Sequence, residues 1–134
     1  MGSLYPFARN HNQDIAIDQE PYALGDLTLQ SSIANLKLRY SILKAYYREF
    51  INRKGQGSIF KPLFFEFPND TKLYEDEIAD TEFLLGNNLL SAPIVQGNTN
   101  KRQVYFPTGA NWFCFHSGKY YHSGSVAEIV NEPH

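Results

Sequence analysis

Between Thr28 and Asn52 the apolar residues Ile33, Leu36, Tyr40, Leu43, Tyr47 and Phe50 recur at spacings of three and four. That spacing marks one face of an α-helix. Thr28, Ser31 and Ser32 are candidate caps for its start. Arg48, Arg53 and Lys54 suit the negative pole of the helix dipole, and Gly55 and Gly57 supply the stop. The stripe predicts a face packed into a core rather than a partner-binding surface, and such a face needs a large apolar neighbour. Ahead of the helix, Leu4–Phe7 reads as a short buried strand. Pro6 is an awkward member of it, because proline cannot donate to a central ladder. Polar Ala8–Asp18 predicts a loop, and Asp18–Asp26, with Pro21 and Gly25, a connector.

After Gly57 the pattern becomes that of strands. Ser58–Phe67 is rich in Ile, Leu and Phe. Leu89–Val95 is a second apolar run, bounded by Gly86-Asn-Asn and Gln96-Gly-Asn. Arg102–Phe106 alternates and stops at Pro107. Asn111–Phe115 and Lys119–His122 flank Ser117-Gly118, a hairpin turn signal. Ser125–Val130 reads as a last strand. Short strands joined by Gly/Asn turns predict a sheet or sandwich. The composition changes near Lys61-Pro62, which divides the chain into residues 1–61 and 62–134. A strand-loop-helix unit is one-eighth of a (β/α)8 barrel, and such a barrel needs about 250 residues. The pattern therefore points to an α+β fragment or an obligate complex.

Composition narrows the function classes. With 134 residues, 43% hydrophobic and 19% charged, the chain is globular and of ordinary domain size. A net charge of −2 provides no basic field for nucleic acid or an anionic membrane surface. No apolar run approaches the roughly 20 residues of a membrane span, and no signal peptide is readable at the N-terminus. Cys114 is the single cysteine, which excludes an internal disulfide and a cysteine metal site. The four histidines, 11, 116, 122 and 134, lack metal-ligand spacing. Aromatic residues reach 15%. Phe and Tyr at that level fit a β-rich core; they also suit platforms that stack on pyranose rings.

Three stretches carry candidate chemistry. Arg9-Asn-His-Asn12 places four hydrogen-bonding side chains after the first predicted strand. At the C-terminal end of a barrel strand this is where ligand contacts sit, and His11 there can hydrogen-bond a sugar hydroxyl. The alternative is a loop anchored by its own side chains. Tyr74–Glu82 is rich in carboxylates, and retaining glycoside hydrolysis needs two carboxyl groups about 5–5.5 Å apart. A local charge run reads instead as a solvated helical face, so no catalytic pair is assigned there. Asn69-Asp70-Thr71 is an N-glycosylation sequon. No Gly-x-Ser-x-Gly elbow and no phosphate-binding glycine loop occurs.

Tyr5-Pro-Phe-Ala-Arg-Asn-His-Asn12, followed by Gln19-Glu-Pro-Tyr22, closely resembles the last active-site segment of glycoside hydrolase family 31, the retaining α-glucosidases. Further matches follow in family order. Leu38-Arg39-Tyr40 with Leu43 looks like the last barrel helix, and Lys61-Pro-Leu-Phe-Phe-Glu-Phe-Pro68 like the opening of the proximal C-terminal β domain. Phe83-Leu-Leu-Gly86, Leu89-Leu-Ser-Ala-Pro-Ile94, Val104-Tyr-Phe-Pro107 and Asn111-Trp-Phe113 complete the series. The Arg-Asn-His-Asn form is more similar to the lysosomal acid α-glucosidase and sucrase/maltase branch than to the glucosidase II branch. Lys61 stands where the family usually has Arg, which touches a structural contact.

The resemblance implies the last β/α unit of a (β/α)8 barrel (last strand, substrate loop, last helix) followed by an incomplete, antiparallel β-sandwich-like domain. It implies an exo-acting enzyme that removes terminal glucose from α-glucoside oligosaccharides by double displacement, with no metal or organic cofactor. His11 would hydrogen-bond the nonreducing-end glucose in the subsite of cleavage. The family's nucleophile motif, Trp-x-Asp-Met-Asn-Glu, does not occur. Gly25-Asp26 lies after the His segment and does not match the acid/base aspartate. The expectation is a chain with no catalytic residue, inactive alone, whose partner is the missing N-terminal barrel portion. The residues themselves leave the location open; a lysosomal or secreted one is what the branch and the Asn69 sequon suggest. The competing readings are a noncatalytic remnant that binds carbohydrate or a partner through the β domain, and a purely structural β module.

Overall fold

A computed structural model of the chain describes residues 2–131; Met1 and residues 132–134, His134 among them, lie outside. The chain divides into two compact units, one ending at Ile59 and one beginning at Phe60.

The first unit is built on α1, Asp26–Arg53, preceded by 3-10 helices at Gly2–Leu4 and Pro21–Leu24. The predicted caps Thr28, Ser31 and Ser32 do not cap it. The N-cap is Gly25, whose φ of 91° turns the chain directly from the preceding 3-10 helix into α1. The Thr28 hydroxyl lies inside the helix and donates back to the Leu24 carbonyl at 3.2 Å. At the far end Lys54 adopts the left-handed conformation, and Gly55 follows it with φ 80°.

One residue step along α1 rotates the face by about 100°. Ile42 and Tyr46, 7% and 4% exposed, are its buried residues. The expected core stripe lies one step away and is largely uncovered: Tyr40 is 71% and Tyr47 66% exposed, with Ile33, Leu36 and Phe50 also exposed. The expectation that this stripe is core is thus not met among the described residues. An exposed apolar stripe of this kind suits a helix that packs inside a larger body.

The predicted strand at Leu4–Phe7 does not form. Leu4 ends a 3-10 helix, residues 5–7 are bends, and Phe7 is exposed. A strand needs a ladder partner, and Pro6 has no N–H to give one. The carbonyls that would join a ladder are taken by Arg39, which donates to Ser3 and Tyr5 at 2.6 Å and to Pro6 at 3.0 Å.

The second unit is mixed α/β. Its elements are β1 (Phe60–Pro62), 3-10 helices at Leu63–Phe65 and Thr71–Tyr74, α2 (Asp76–Thr81), β2 (Phe83–Leu85), β3 (Leu89–Ser91), β4 (Lys101–Tyr105), β5 (Trp112–Phe113), β6 (Tyr120–Tyr121) and β7 (Val126–Val130). They form three small antiparallel sheets: β1-β2-β3, β4-β7 and β5-β6. No closed barrel is present among the described residues. The run Ser58–Phe67 yields only three strand residues, because the chain coils into a 3-10 helix after Pro62. The hairpin at Ser117-Gly118 forms as expected. Cys114 N–H donates to the Lys119 carbonyl at 2.8 Å, and Gly118 takes φ 69°. The core gathers Leu63, Leu73, Ile78, Leu84, Val104, Tyr105, Phe106 and Trp112. The indole N–H of Trp112 is satisfied by the Pro107 carbonyl at 2.9 Å.

Candidate functional site

The N-terminal segment is clamped to α1 before the Arg9–Asn12 loop begins. Besides the three carbonyl bonds from Arg39, the Tyr46 hydroxyl donates to the Leu4 carbonyl. The Arg39 guanidinium lies 5.6 Å over the Tyr46 ring. Burial pushes the Tyr46 hydroxyl up, with Arg39 acting in the opposite direction. The helix therefore fixes where the polar loop leaves it.

Within that loop the four side chains divide their work. Asn10 donates to the Gln19 carbonyl at 2.6 Å, and Asn12 donates to the Ile17 carbonyl while its Oδ1 accepts the Gln13 N–H at 2.9 Å. These two asparagines staple the loop across its own neck, in the manner of local side-chain turns. Arg9 Nη2 sits 2.8 Å from His11 Nδ1. His11 is exposed, and its Nε2 meets no hydrogen-bonding group among the described residues. The loop is thus anchored by two of its members, while His11 keeps one ring edge toward solvent, where a donor or acceptor could meet a ligand.

The second unit holds its own polar centres, which the sequence pattern did not single out. Glu82, at the end of the carboxylate run, is 2% exposed. The rest of the run behaves as expected: Asp76, Glu77 and Asp80 lie on exposed positions of α2. Glu82 Oε1 accepts from Arg102 Nη2 at 3.1 Å and from the Tyr105 N–H at 3.0 Å, while Oε2 is buried without a partner among the described residues. Burial raises this carboxyl to about 7, against the Tyr105 N–H and the Arg102 charge. Arg102 also bonds the carbonyls of Thr81 and Pro93, tying α2 and the segment after β3 to β4.

Asp70 is the second centre. It is buried and accepts from the Tyr105 hydroxyl at 2.8 Å, from the Thr108 N–H at 2.8 Å and from the Thr108 hydroxyl at 3.0 Å. Burial raises its carboxyl, and the hydrogen bonds outweigh that, so it rests below the usual range. Burial and the Asp70 contact push the Tyr105 hydroxyl up to about 12. Asn69, the sequon asparagine, is exposed beside it. Lys61 is buried in β1 and bonds Glu66 and, at 2.9 Å, Asn87 Oδ1. Lys61 thus makes buried polar contacts of its own at that position.

No group of histidine, cysteine and carboxylate side chains arranged to hold a metal ion occurs among the described residues. None of their helices is long and apolar enough to cross a membrane.

Residues 56–133 match the profile described as "Glycosyl hydrolase family 31 C-terminal domain". Residues 1–49 match "Glycosyl hydrolases family 31 TIM-barrel domain". The chain belongs to glycosyl hydrolase family 31. Among similar family 31 proteins, "Lysosomal acid alpha-glucosidase" of Tetrahymena pyriformis is 42% identical over 123 residues, covering 86% of this chain and 13% of that protein. "Alpha-glucosidase" of Mucor javanicus is 37% identical over 116 residues, covering 84% of this chain and 13% of that protein. A solved glucosidase II alpha subunit, Tris-bound, superposes with a TM-score of 0.83 at 26% identity, covering 98% of this chain and 14% of its own. The chain therefore spans about one-eighth of the length of these family 31 proteins.

Proposed function

We propose that this chain is the C-terminal portion of a retaining exo-α-glucosidase that removes terminal glucose from α-glucoside oligosaccharides. Residues 1–61 supply the last substrate loop and last helix of the barrel, and residues 62–134 a proximal C-terminal domain of sandwich-like build. The observation that carries this reading is the Arg9–Asn12 loop. Its asparagines hold it shut, its histidine faces outward, and it lies in the stretch that matches the family 31 barrel domain. In this reading the reaction is double displacement: one carboxylate attacks the anomeric carbon while a protonated carboxyl assists the leaving group. Both carboxyl groups come from the missing N-terminal barrel portion, which is the partner this chain requires. His11 hydrogen-bonds a hydroxyl of the nonreducing-end glucose.

The isolated chain should then show no turnover of maltose or an aryl α-glucoside, because loss of catalytic groups costs many orders of magnitude in rate. Turnover that follows the protein through two independent preparations would overturn the assignment of the carboxylates. An in-frame Trp-x-Asp-Met-Asn-Glu block in the upstream coding sequence supports the reading.

A noncatalytic carbohydrate-binding role is the second reading, and the solvent face of the β5–β6 hairpin favours it. Phe113 and Tyr120 face each other across the strands with ring centroids 5.3 Å apart, and His122 stands 5.0 Å from Tyr120. Binding of maltoheptaose that is lost in Phe113→Ala/Tyr120→Ala, with no enzymatic block upstream, distinguishes it from the first.

A further inference from the structure

We propose that Arg9 is a positioning residue that dictates which ring nitrogen of His11 carries the proton. Arg9 Nη2 lies 2.8 Å from His11 Nδ1. A guanidinium presents five N–H donors and no acceptor, so Nδ1 meets it as a lone pair. The one proton of the neutral imidazole then sits on Nε2, at the opposite edge of the ring. His11 is exposed, and its Nε2 has no hydrogen-bond partner among the described residues. His11 therefore offers its surroundings one donor and no acceptor.

The neighbouring side chains do not compete for this role. The Asn10 amide is directed to the Gln19 carbonyl, the Asn12 amide to the Ile17 carbonyl, and Asn12 Oδ1 to the Gln13 N–H. Arg9 takes part in none of the ion pairs among the described residues. Its cationic head is thus available to His11 alone, and a hydrogen bond to a charged group is the stronger kind. The consequence for chemistry rests on the reading of His11 as a sugar contact. The outward N–H would donate to a sugar hydroxyl oxygen and leave that hydroxyl's own proton for another acceptor. A polar residue chosen only to anchor the loop would not need a fixed tautomer.

The test is nuclear magnetic resonance of the full chain with 15N-labelled histidine, at a pH where His11 is neutral. Long-range 1H–15N correlations report the protonation of each ring nitrogen. In the wild type His11 should show an unprotonated Nδ1 and a protonated Nε2, with the Nε2–H form in roughly tenfold or greater excess, as expected for a hydrogen bond to a charged donor. Arg9→Ala should move both nitrogens toward the exchange average of the two tautomers. Arg9→Lys, which keeps a cationic donor, should restore part of the wild-type pattern. Unchanged amide resonances of α1 establish that the variants keep their fold. Identical His11 nitrogen shifts in the wild type and Arg9→Ala, or a protonated Nδ1 in the wild type, would overturn the proposal. No sugar enters this measurement, so its outcome is independent of whether His11→Ala impairs a complete enzyme.

Discussion

His11 and Glu82 show how differently two polar residues are used in this family 31 chain. His11 is exposed and held through Arg9, so truncating it should cost the fold little. On the proposed reading of His11 as a sugar contact, His11→Ala in a complete enzyme is expected to lower kcat/KM by about tenfold to a hundredfold with an unchanged Tm, the loss expected for sugar contacts that tighten as the ring flattens. Kinetics and melting on one preparation check both halves. Asp70 is the reverse case. Asp70→Ala leaves the Tyr105 hydroxyl and the Thr108 N–H without their acceptor, and should destabilise the second unit by about 3 kcal/mol in denaturant titration. Glu82 adds a pH dependence. Its folded value of about 7 lies above the ordinary 4.5, so its contribution is fully present below about 4.5 and is lost as pH rises through about 7. A shift of that size corresponds to about 3 kcal/mol at most. Asp70, held below 3.8, acts oppositely: its contribution is present above that value and lost on acidification. The second unit should therefore be most stable in mildly acidic solution. Glu82→Gln should flatten the fall in Tm between about pH 4.5 and 7, and an equal slope in both proteins would refute the assignment.

At the scale of elements, α1 carries the main lesson. Its existence and length follow from local spacing and from the glycines at 25 and 55. Its surroundings do not. Arg39 and Tyr46 fasten it to the N-terminal segment, but Tyr40, Tyr47 and Phe50 are more than half exposed. Most helical stability in proteins comes from packing of an apolar face rather than from propensity. α1, though formed, should therefore open locally more often, so that residues 33–51 exchange their amide hydrogens faster than the core strands of the second unit around Leu84 and Val104. Slow exchange throughout 33–51 in a monomer would contradict this picture. The hairpin of β5 and β6 needs no such partner, because Trp112 and Tyr121 pack on Phe106 from its inner face.

For the whole molecule, the uncovered stripe and the proposed dependence on missing barrel segments belong together. On the proposed function, an N-terminal barrel portion supplied as a separate polypeptide should restore α-glucosidase turnover in the mixture. Tyr47→Glu should block that restoration while leaving the second unit's Tm unchanged. Activity assays of the mixed polypeptides, with the Tyr47→Glu chain as control, measure this directly.

Much of this was legible in the residues. Three- and four-residue spacing determined α1, Ser117-Gly118 determined the hairpin, and the ordered motifs from Tyr5 to Phe113 determined family 31, because each rests on local geometry or on the order of residues along the chain. Only the tertiary structure decided the rest. It turned Leu4–Phe7 away from a strand, because Arg39 took the carbonyls a ladder would use. It separated Glu82 from an otherwise solvated acidic run, because Arg102 and Tyr105 reach it from a strand some twenty residues on. It divided Arg9–Asn12 into two loop anchors and an outward histidine, because Gln19 and Ile17 come back to meet the asparagines. Spacing fixes which way a side chain leaves its own element; what waits there depends on contacts distant in sequence, and those are set by the packing of the folded chain.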